Sequence, residues 1–454
     1  MRKISIKKSI VCLALSGVLA ATFISGTVVA KEPKLSKKPG VKNVIVMISD
    51  GCGYNQIEAA NYYQYGKSGM QVYEQFPVRY AMSTYSEGSY DPSLAWGSFD
   101  YVKNGATDSA AAATAMSTGV KTYDAAIGLD FDGNPVKHIA EVAEELGKST
   151  GVVTSVQISH ATPAGFVAHN RNRNNYEEIA KEMILSTKTD VIMGAGNPWF
   201  DNNGVRKVYP NSYKYVGGQT TWEGLVNGTL KTADADGDGV SDPWTLIQSR
   251  SGFQKLMSGE TPKRVIGVAE VYTTLQQARG GDDKADPYAV PLNQNVPTLA
   301  EMAKGAINVL DNDKDGFFLM IEGGAVDWAG HANQSGRVIE EEIEFNKAVE
   351  AVVQWVEKYS NWGETLLIVT GDHETGYLTG PGSNPAWQPI VNNGEGNLPG
   401  MLWNSGSHTN SLVPLFAKGA AARFIRGYAD ERDPVRGLYI DNTELAKVLF
   451  GVIE

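Results

Sequence analysis

Cysteine is nearly absent: the 454 residues contain two, Cys12 and Cys52. Cys12 falls within an apolar N-terminal stretch and follows Ser9-Ile10-Val11 rather than a lipobox, which argues against lipid attachment. Residues 1–30 join a basic head (Arg2, Lys3, Lys7, Lys8) to an apolar run from Ile10 to Val29 and a Val28-x-Ala30 ending. This is the pattern of an export signal cleaved after Ala30. Ser16, Gly17, Ser25, Gly26 and Thr27 interrupt the run and weaken it as a permanent membrane anchor. Cleavage leaves Cys52 alone, so no intrachain disulfide can form in the oxidising compartment beyond the membrane. Stability is then expected from a packed core and bound metals.

Positive charge is also in short supply. The chain carries 40 Lys and Arg against 51 Asp and Glu, and removing the four basic residues of the export segment leaves 36 against 51, a formal charge of -15. Clustered basic residues are what nucleic acid and anionic membranes require, so neither is expected as the principal partner. Bound cations are a natural counterweight to part of the acidic excess. Histidine is rare as well, with six in the chain.

A Lys/Pro-rich linker at 31–40 leads into residues 41–454, which read as one domain. Near-continuous apolar and β-branched runs at 41–51, 150–158, 190–196, 264–270, 316–324 and 365–373 have the composition of buried strands. Amphipathic segments at 137–147, 176–186, 297–310 and 337–358 have helical spacing and lie between them. Strand alternating with helix predicts an α/β fold, a large and mostly parallel central sheet with helices on both faces. Residues from about 200 to 295 break this rhythm with Gly, Asp, Asn and Tyr and read as an insertion decorating the sheet. Ligands of such sheets bind beyond the carboxyl ends of the strands. Those ends carry Asp50, Glu322, Asp327 with His331, and Asp372 with His373.

Imidazole and carboxylate suit zinc, whereas carboxylate, hydroxyl and water suit magnesium. His331, His373 and His408 all stand beside short polar or Gly-rich motifs in the C-terminal half. Thr107-Asp108-Ser109 precedes the small-residue run Ala110 to Ala113, and a helix is expected to open at Ser109. A hydroxyl there faces unpaired backbone N–H groups and the positive end of the helix, which suits a phosphate. On the pattern alone, the simpler reading is that Asp108 or Ser109 only caps an Ala-rich helix.

Taken together and in order, these motifs resemble the alkaline phosphatases. The resemblance rests on Asp50-Gly51, Asp108-Ser109-Ala110 with Thr114-Ala115 and Ser117-Thr118-Gly119, and Ala161-Thr162-Pro163-Ala164. It continues through Glu322-Gly323 with Asp327 and His331, Thr370-Gly371-Asp372-His373 and Ser407-His408-Thr409. It implies one zinc on Asp327, His331 and His408, a second on Asp50, Asp372 and His373, and a magnesium on Asp50, Thr162 and Glu322. It implies hydrolysis of small phosphate monoesters through a phosphoserine on Ser109, with broad specificity, an alkaline optimum and a secreted location. It also implies an arginine that grips phosphate four residues after His169, namely Arg173, oriented by Asp108, with Arg171 as its close competitor. Homodimers are common in that family, although nothing in the sequence marks an interface.

Two positions depart from some bacterial members of the family, which have Asp and Lys where this chain has His160 and Trp328. The substrate surroundings are therefore expected to hold magnesium less firmly and to lack a lysine charge, and His160 offers the third site a zinc-type donor. The family's mutase and phosphodiesterase relatives fit less well because of Thr114-Ala115 and Arg173, and the Cys/Ser-x-Pro-x-Arg setting of a sulfatase is missing at Ser109. Asp311-x-Asp313-x-Asp315-Gly316 with Glu322 matches a calcium loop by spacing, but the run Phe317–Ile321 that follows looks like a strand rather than the required helix. Asp234, Asp236, Asp238 and Asp242 fit a structural calcium loop and an ordinary acidic turn equally well, since Thr245 stands where the bidentate Glu belongs.

Overall fold

Apolar residues on both faces of a strand can be buried only if helices cover both sides of the sheet, and the strand Asn43–Ser49 is buried along its whole length. The computed structural model of the chain describes residues 40–384 and 386–453; the segment 1–30 expected to direct export and all of the expected linker except Gly40 lie outside the described residues. The described strands are β1 (Asn43–Ser49), β2 (Val78–Ser83), β3 (Ser149–Gln157), β4 (Val191–Ala195), β5 (Thr245–Ile247), β6 (Val265–Val268), β7 (Phe317–Gly323) and β8 (Thr365–Gly371). After them come β9 (Glu374–Thr375), β10 (Leu378–Thr379), β11 (Leu402–Trp403), β12 (His408–Thr409), β13 (Val413–Gly419), β14 (Glu431–Asp433) and β15 (Gly437–Asp441).

Eleven of these form one sheet in the order β14-β15-β2-β13-β8-β1-β7-β3-β4-β6-β5. The strands from β8 to β5 run parallel, while β13 pairs antiparallel with both β8 and β2. Successive strand residues point to opposite faces. Val44, Val46 and Ile48 accordingly pack in the same core as the helices Ser109–Thr118, Tyr176–Leu185 and Asn442–Ile453. Ile45 and Met47 pack in the other, with the helices Leu299–Leu310 and Ser335–Tyr359. Each fully buried aliphatic side chain contributes about 1.5–3 kcal/mol, which favours holding the acidic groups back until the strands end.

Register then determines what meets at those ends. Ile48 of β1 lies opposite Glu322 of β7, and Ser49 lies opposite Gly371 of β8. Asp50 and Asp372, the next residues along, therefore emerge side by side with Glu322 on their flank. On the other side of β7, Thr154 of β3 lies opposite Glu322. The stretch 200–295 carries the helices Gly218–Asn227 and Arg250–Leu256, and it also supplies β5 and β6 as one edge of the sheet.

Candidate metal centre

Three acceptors crowd together where the segment after β7 meets β12. The short helix Ala325–His331 delivers Asp327 and His331, and β12 pairs with β9 to bring His408 alongside. His331 Nδ1 lies 2.7 Å from the Gly406 carbonyl and His408 Nδ1 lies 2.8 Å from the Thr107 carbonyl. A carbonyl only accepts, so both Nδ1 atoms carry protons and donate. The two Nε2 atoms face each other at 3.0 Å, each 3.4 Å from Asp327 Oδ1. Such a triad needs a proton or a cation at its centre. Burial opposes a charged imidazole at His408, yet the hydrogen-bonded Asp327 carboxylate raises its pKa to about 9. Imidazoles tied through Nδ1 to carbonyls are the usual arrangement of metal-binding histidines.

A second set lies deeper. His373 Nε2 is 3.5 Å from Asp50 Oδ1 and 3.3 Å from Asp372 Oδ2. Asp372 Oδ1 accepts the backbone N–H groups of Gly51 (3.0 Å) and His373 (2.9 Å), which turns Oδ2 inward. Asp50, Glu322, Asp372 and His373 are all fully buried. Even so, both oxygens of Asp50, Asp372 Oδ2 and Glu322 Oε1 have no hydrogen-bond partner. The Thr162 hydroxyl, from the short helix Ala161–Ala164, lies near Glu322 without closing a hydrogen bond, and Thr154 donates to the other Glu322 oxygen.

Burial, and then repulsion from Asp372, Asp327 and Glu322, pushes Asp50 well above the carboxylate range. Glu322 is raised to about 7 and Asp372 to about 6, in both cases chiefly by burial. Three buried carboxylates with unmatched oxygens are untenable unless protonated or bound to cations. These donors therefore fit two imidazole–carboxylate sites and one site richer in oxygen. The ligand atoms of Asp50, Glu322 and His160 also lie within 4.8 Å of one another, and His160 Nδ1 is buried without a partner.

Ser109 opens the helix Ser109–Thr118, and its Oγ lies 3.1 Å from His373 Nε2. Asp108 performs two tasks with two oxygens. Oδ1 caps the helix by accepting the Ala111 N–H at 2.9 Å, and Oδ2 pairs with Arg173 Nη1 at 3.0 Å. Arg173 Nη2 reaches to 3.5 Å from His160 Nε2, and the Trp328 ring lies 5.7 Å from that of His160. A cavity of about 670 Å³ is walled by Asp108, His160, Arg173, Trp328, His331 and His408. Arg171 is exposed and is not part of its wall.

The expected metal and phosphate residues thus meet in one place, whereas the acidic loop lies elsewhere. There Asp234, Asp236 and Asp242 approach one another while Asp238 stays outside the group, and the Lys263 ammonium pairs with Asp236 and, at 2.8 Å, with Asp242. The 311–322 stretch turns directly into β7. Thr375 was not anticipated from sequence. Its hydroxyl donates to Asp327 Oδ1 at 2.5 Å and lies 3.3 Å from His373 Nδ1. Its place two residues after His373 in Gly371-Asp372-His373-Glu374-Thr375 was the available signal. Lys103, Asp124, Tyr176 and Gln277 also line the cavity and carried no motif.

A family profile described as "Alkaline phosphatase" matches residues 41–402. "Alkaline phosphatase 3" of Bacillus subtilis (strain 168) is 32% identical over 381 residues, spanning 82% of this chain and 70% of the relative. Among solved structures, the alkaline phosphatase from the Antarctic bacterium TAB5 superposes with a TM-score of 0.61 at 27% identity, covering 92% of this chain and 99% of the other. A TAB5 mutant described with Mg bound in its M3 site superposes with a TM-score of 0.62, with the same identity and coverage.

Proposed function

The chain belongs to the alkaline phosphatase family and is a phosphoric monoester hydrolase, and from that premise we propose that it hydrolyses phosphate monoesters through a phosphoserine formed on Ser109. The observation that carries this reading is the position of the Ser109 hydroxyl, 3.1 Å from His373 Nε2 at the first turn of its helix. Asp327, His331 and His408 would hold one zinc, Asp50, Asp372 and His373 a second, and Asp50, Thr162 and Glu322 a magnesium, and these ions would supply Lewis-acid stabilisation of the reacting oxygens. The orphaned oxygens of Asp50, Glu322 and Asp372 support these assignments, and the magnesium bound by the TAB5 mutant supports the third. The unpartnered His160 nitrogen favours zinc there as a second reading, since magnesium prefers oxygen donors.

The protein's own groups account for substrate placement. Arg173 presents a planar fork that can hold two non-bridging phosphate oxygens, and Asp108 keeps that fork turned toward Ser109. The free N–H groups at the start of the helix add a positive end facing the same anion. Ser109 Oγ forms a bond to phosphorus as it gives up its proton, and the ester oxygen departs with its electron pair and takes up a proton to leave as the alcohol. Water then cleaves the Oγ–phosphorus bond, returning the hydroxyl and releasing inorganic phosphate. Phosphoryl transfer depends on placement and charge more than on covalent assistance, and Trp328 adds no charge of its own to the grip of Arg173 on phosphate. An open cavity of about 670 Å³ is in keeping with broad specificity and an alcohol portion left in solvent. Residues 41–454 as one domain, export of the chain and a homodimer belong to the same proposal; among the described residues no helix is long and apolar enough to cross a membrane.

The test is hydrolysis of p-nitrophenyl phosphate at alkaline pH. Activity lost to a chelator should return with zinc plus magnesium. Ser109→Ala should keep its metals and lose on the order of 10⁴-fold or more in kcat. An unchanged kcat in that variant removes the nucleophile assignment.

A further inference from the structure

Two of the six histidines take no part in the centre described above, and they meet each other. His138 and His169 have ring centroids 4.4 Å apart. Glu141 lies between them, its Oε2 3.1 Å from His138 Nδ1 and 3.9 Å from His169 Nε2. One ligand atom from each of the three lies within 4.8 Å of the others. The rings can approach because residue 128 is glycine, with φ 59°. A Cβ there would stand 2.6 Å from His138 Nε2 and 2.8 Å from His169 Cδ2.

Acceptors outnumber donors in this cluster. Glu182 Oε1 lies 3.2 Å from His169 Nδ1 and accepts its N–H, while Nε2 meets only acceptors, the Val136 carbonyl at 3.1 Å and the Glu141 carboxylate, and so needs either a second proton or a cation. A carboxylate holding the far nitrogen of a histidine is the support that metal-bound histidines commonly have. His138 is fully buried and its Nε2 has no partner. If the ring proton sits on Nδ1, Nε2 is a buried lone pair without a donor. If it sits on Nε2, the Nδ1 lone pair is turned onto the Glu141 carboxylate. In either arrangement the positive charge facing Glu141 is a second proton on His169 or a cation in its place. A cavity of about 330 Å³, lined by Glu141, Glu144, His169, Glu182 and Lys188, leads to the cluster and gives an ion a way in.

We propose that His138, Glu141 and His169 bind a further divalent cation of the zinc type, separate from the catalytic centre, with Glu182 orienting His169. Two nitrogen donors and one carboxylate select zinc or a similar transition ion over calcium or magnesium. The site has a structural consequence for catalysis. Ile127 and Asn170 exchange backbone hydrogen bonds at 2.8 and 2.9 Å, and the Arg173 N–H donates to the Ala125 carbonyl at 2.8 Å. An ion held by His169 therefore fastens the segment from which Arg173 reaches the phosphate.

Zinc-edge anomalous diffraction from crystals of the full exported chain grown with excess zinc tests this directly. A peak is expected between His138, Glu141 and His169, in addition to peaks at the Asp327 and Asp372 sets. Peaks at those two sets with none at His138 overturn the inference and leave the catalytic reading intact; absence of the catalytic peaks would instead count against that reading. In solution, Glu141→Gln and His138→Gln should each bind one zinc fewer per chain than the wild type. Their KM for p-nitrophenyl phosphate should rise roughly two- to tenfold, with kcat within about twofold. Equal zinc stoichiometry in wild type and both variants refutes the site.

Discussion

Arg171 and Arg173 stand two residues apart on one segment, and only the second turns inward. Its guanidinium is paired with Asp108 and faces His160, whereas Arg171 is exposed. A charge-assisted hydrogen bond contributes about 1.5–3 kcal/mol. Arg173→Ala should therefore weaken competitive inhibition by inorganic phosphate by roughly 10- to 100-fold, while Arg171→Ala should leave the inhibition constant nearly unchanged. The reverse ranking would place the phosphate grip elsewhere. At this scale the acidic and imidazole candidates for metal ligands were legible because they end strands or sit in short Gly-rich motifs, positions where the chain has no packing use for an acid or an imidazole. Thr154, Thr375 and the His138–His169 pair were not. Their significance comes from contacts between distant residues, such as Thr154 with Glu322 and Thr375 with Asp327, and nothing in their local spacing announces it.

The helix Ser109–Thr118 shows how one element serves both stability and chemistry. The sequence left open whether its first residues cap or catalyse, and the geometry divides the work: Asp108 caps, and the Ser109 hydroxyl stays directed at His373. Asp108→Ala removes the cap and the partner of Arg173 together. It should lower unfolding stability by about 1 kcal/mol and weaken phosphate binding. Asp108→Asn keeps a capping oxygen but puts an amide NH2 where Oδ2 accepts from Arg173, so it should weaken phosphate binding with little change in the denaturation midpoint. Equal destabilisation by both variants would show that the cap is not the stabilising contact. Among strands, the parallel ones were legible because both of their faces are apolar, as in β1, β7 and β8. β2 and β13 escaped notice. β2 is partly exposed at its start, and β13 contains Pro414, a residue that argues against an interior strand. Pro414 is accommodated because β13 enters its ladder with β8 only from Leu415 onward.

For the molecule as a whole, the cations are expected to act as structural staples, since the described residues hold no disulfide. Burial raises Glu322 to about 7 and Asp372 to about 6 when no cation faces them. A carboxyl raised on folding favours the folded state while it is protonated, and that contribution is lost as pH climbs from its unfolded value through the folded one. Metal-stripped protein should therefore lose stability between about pH 4 and 7, whereas cation-loaded protein, whose ligands are ionised, should not. The gap in Tm between loaded and stripped protein should widen by roughly 3–6 °C from pH 5 to pH 8, as read by calorimetry. A gap independent of pH would mean that these carboxylates do not hold the ions. The architecture was legible at this scale from the alternation of strand and helix. The participation of residues 245–268 in the sheet edge was only half visible: β6 lies in the apolar run 264–270, but β5 is three residues long and is followed by the helix Arg250–Leu256. The central claim is that distant segments converge to place divalent ions beside the hydroxyl of Ser109, and it is tested most directly by acid-quenching the enzyme during turnover of a phosphate monoester and mapping phosphate by peptide mass spectrometry. The account predicts phosphate on Ser109 in the metal-loaded enzyme and none after chelation. Phosphate on another residue, or on Ser109 in metal-free protein, would contradict it.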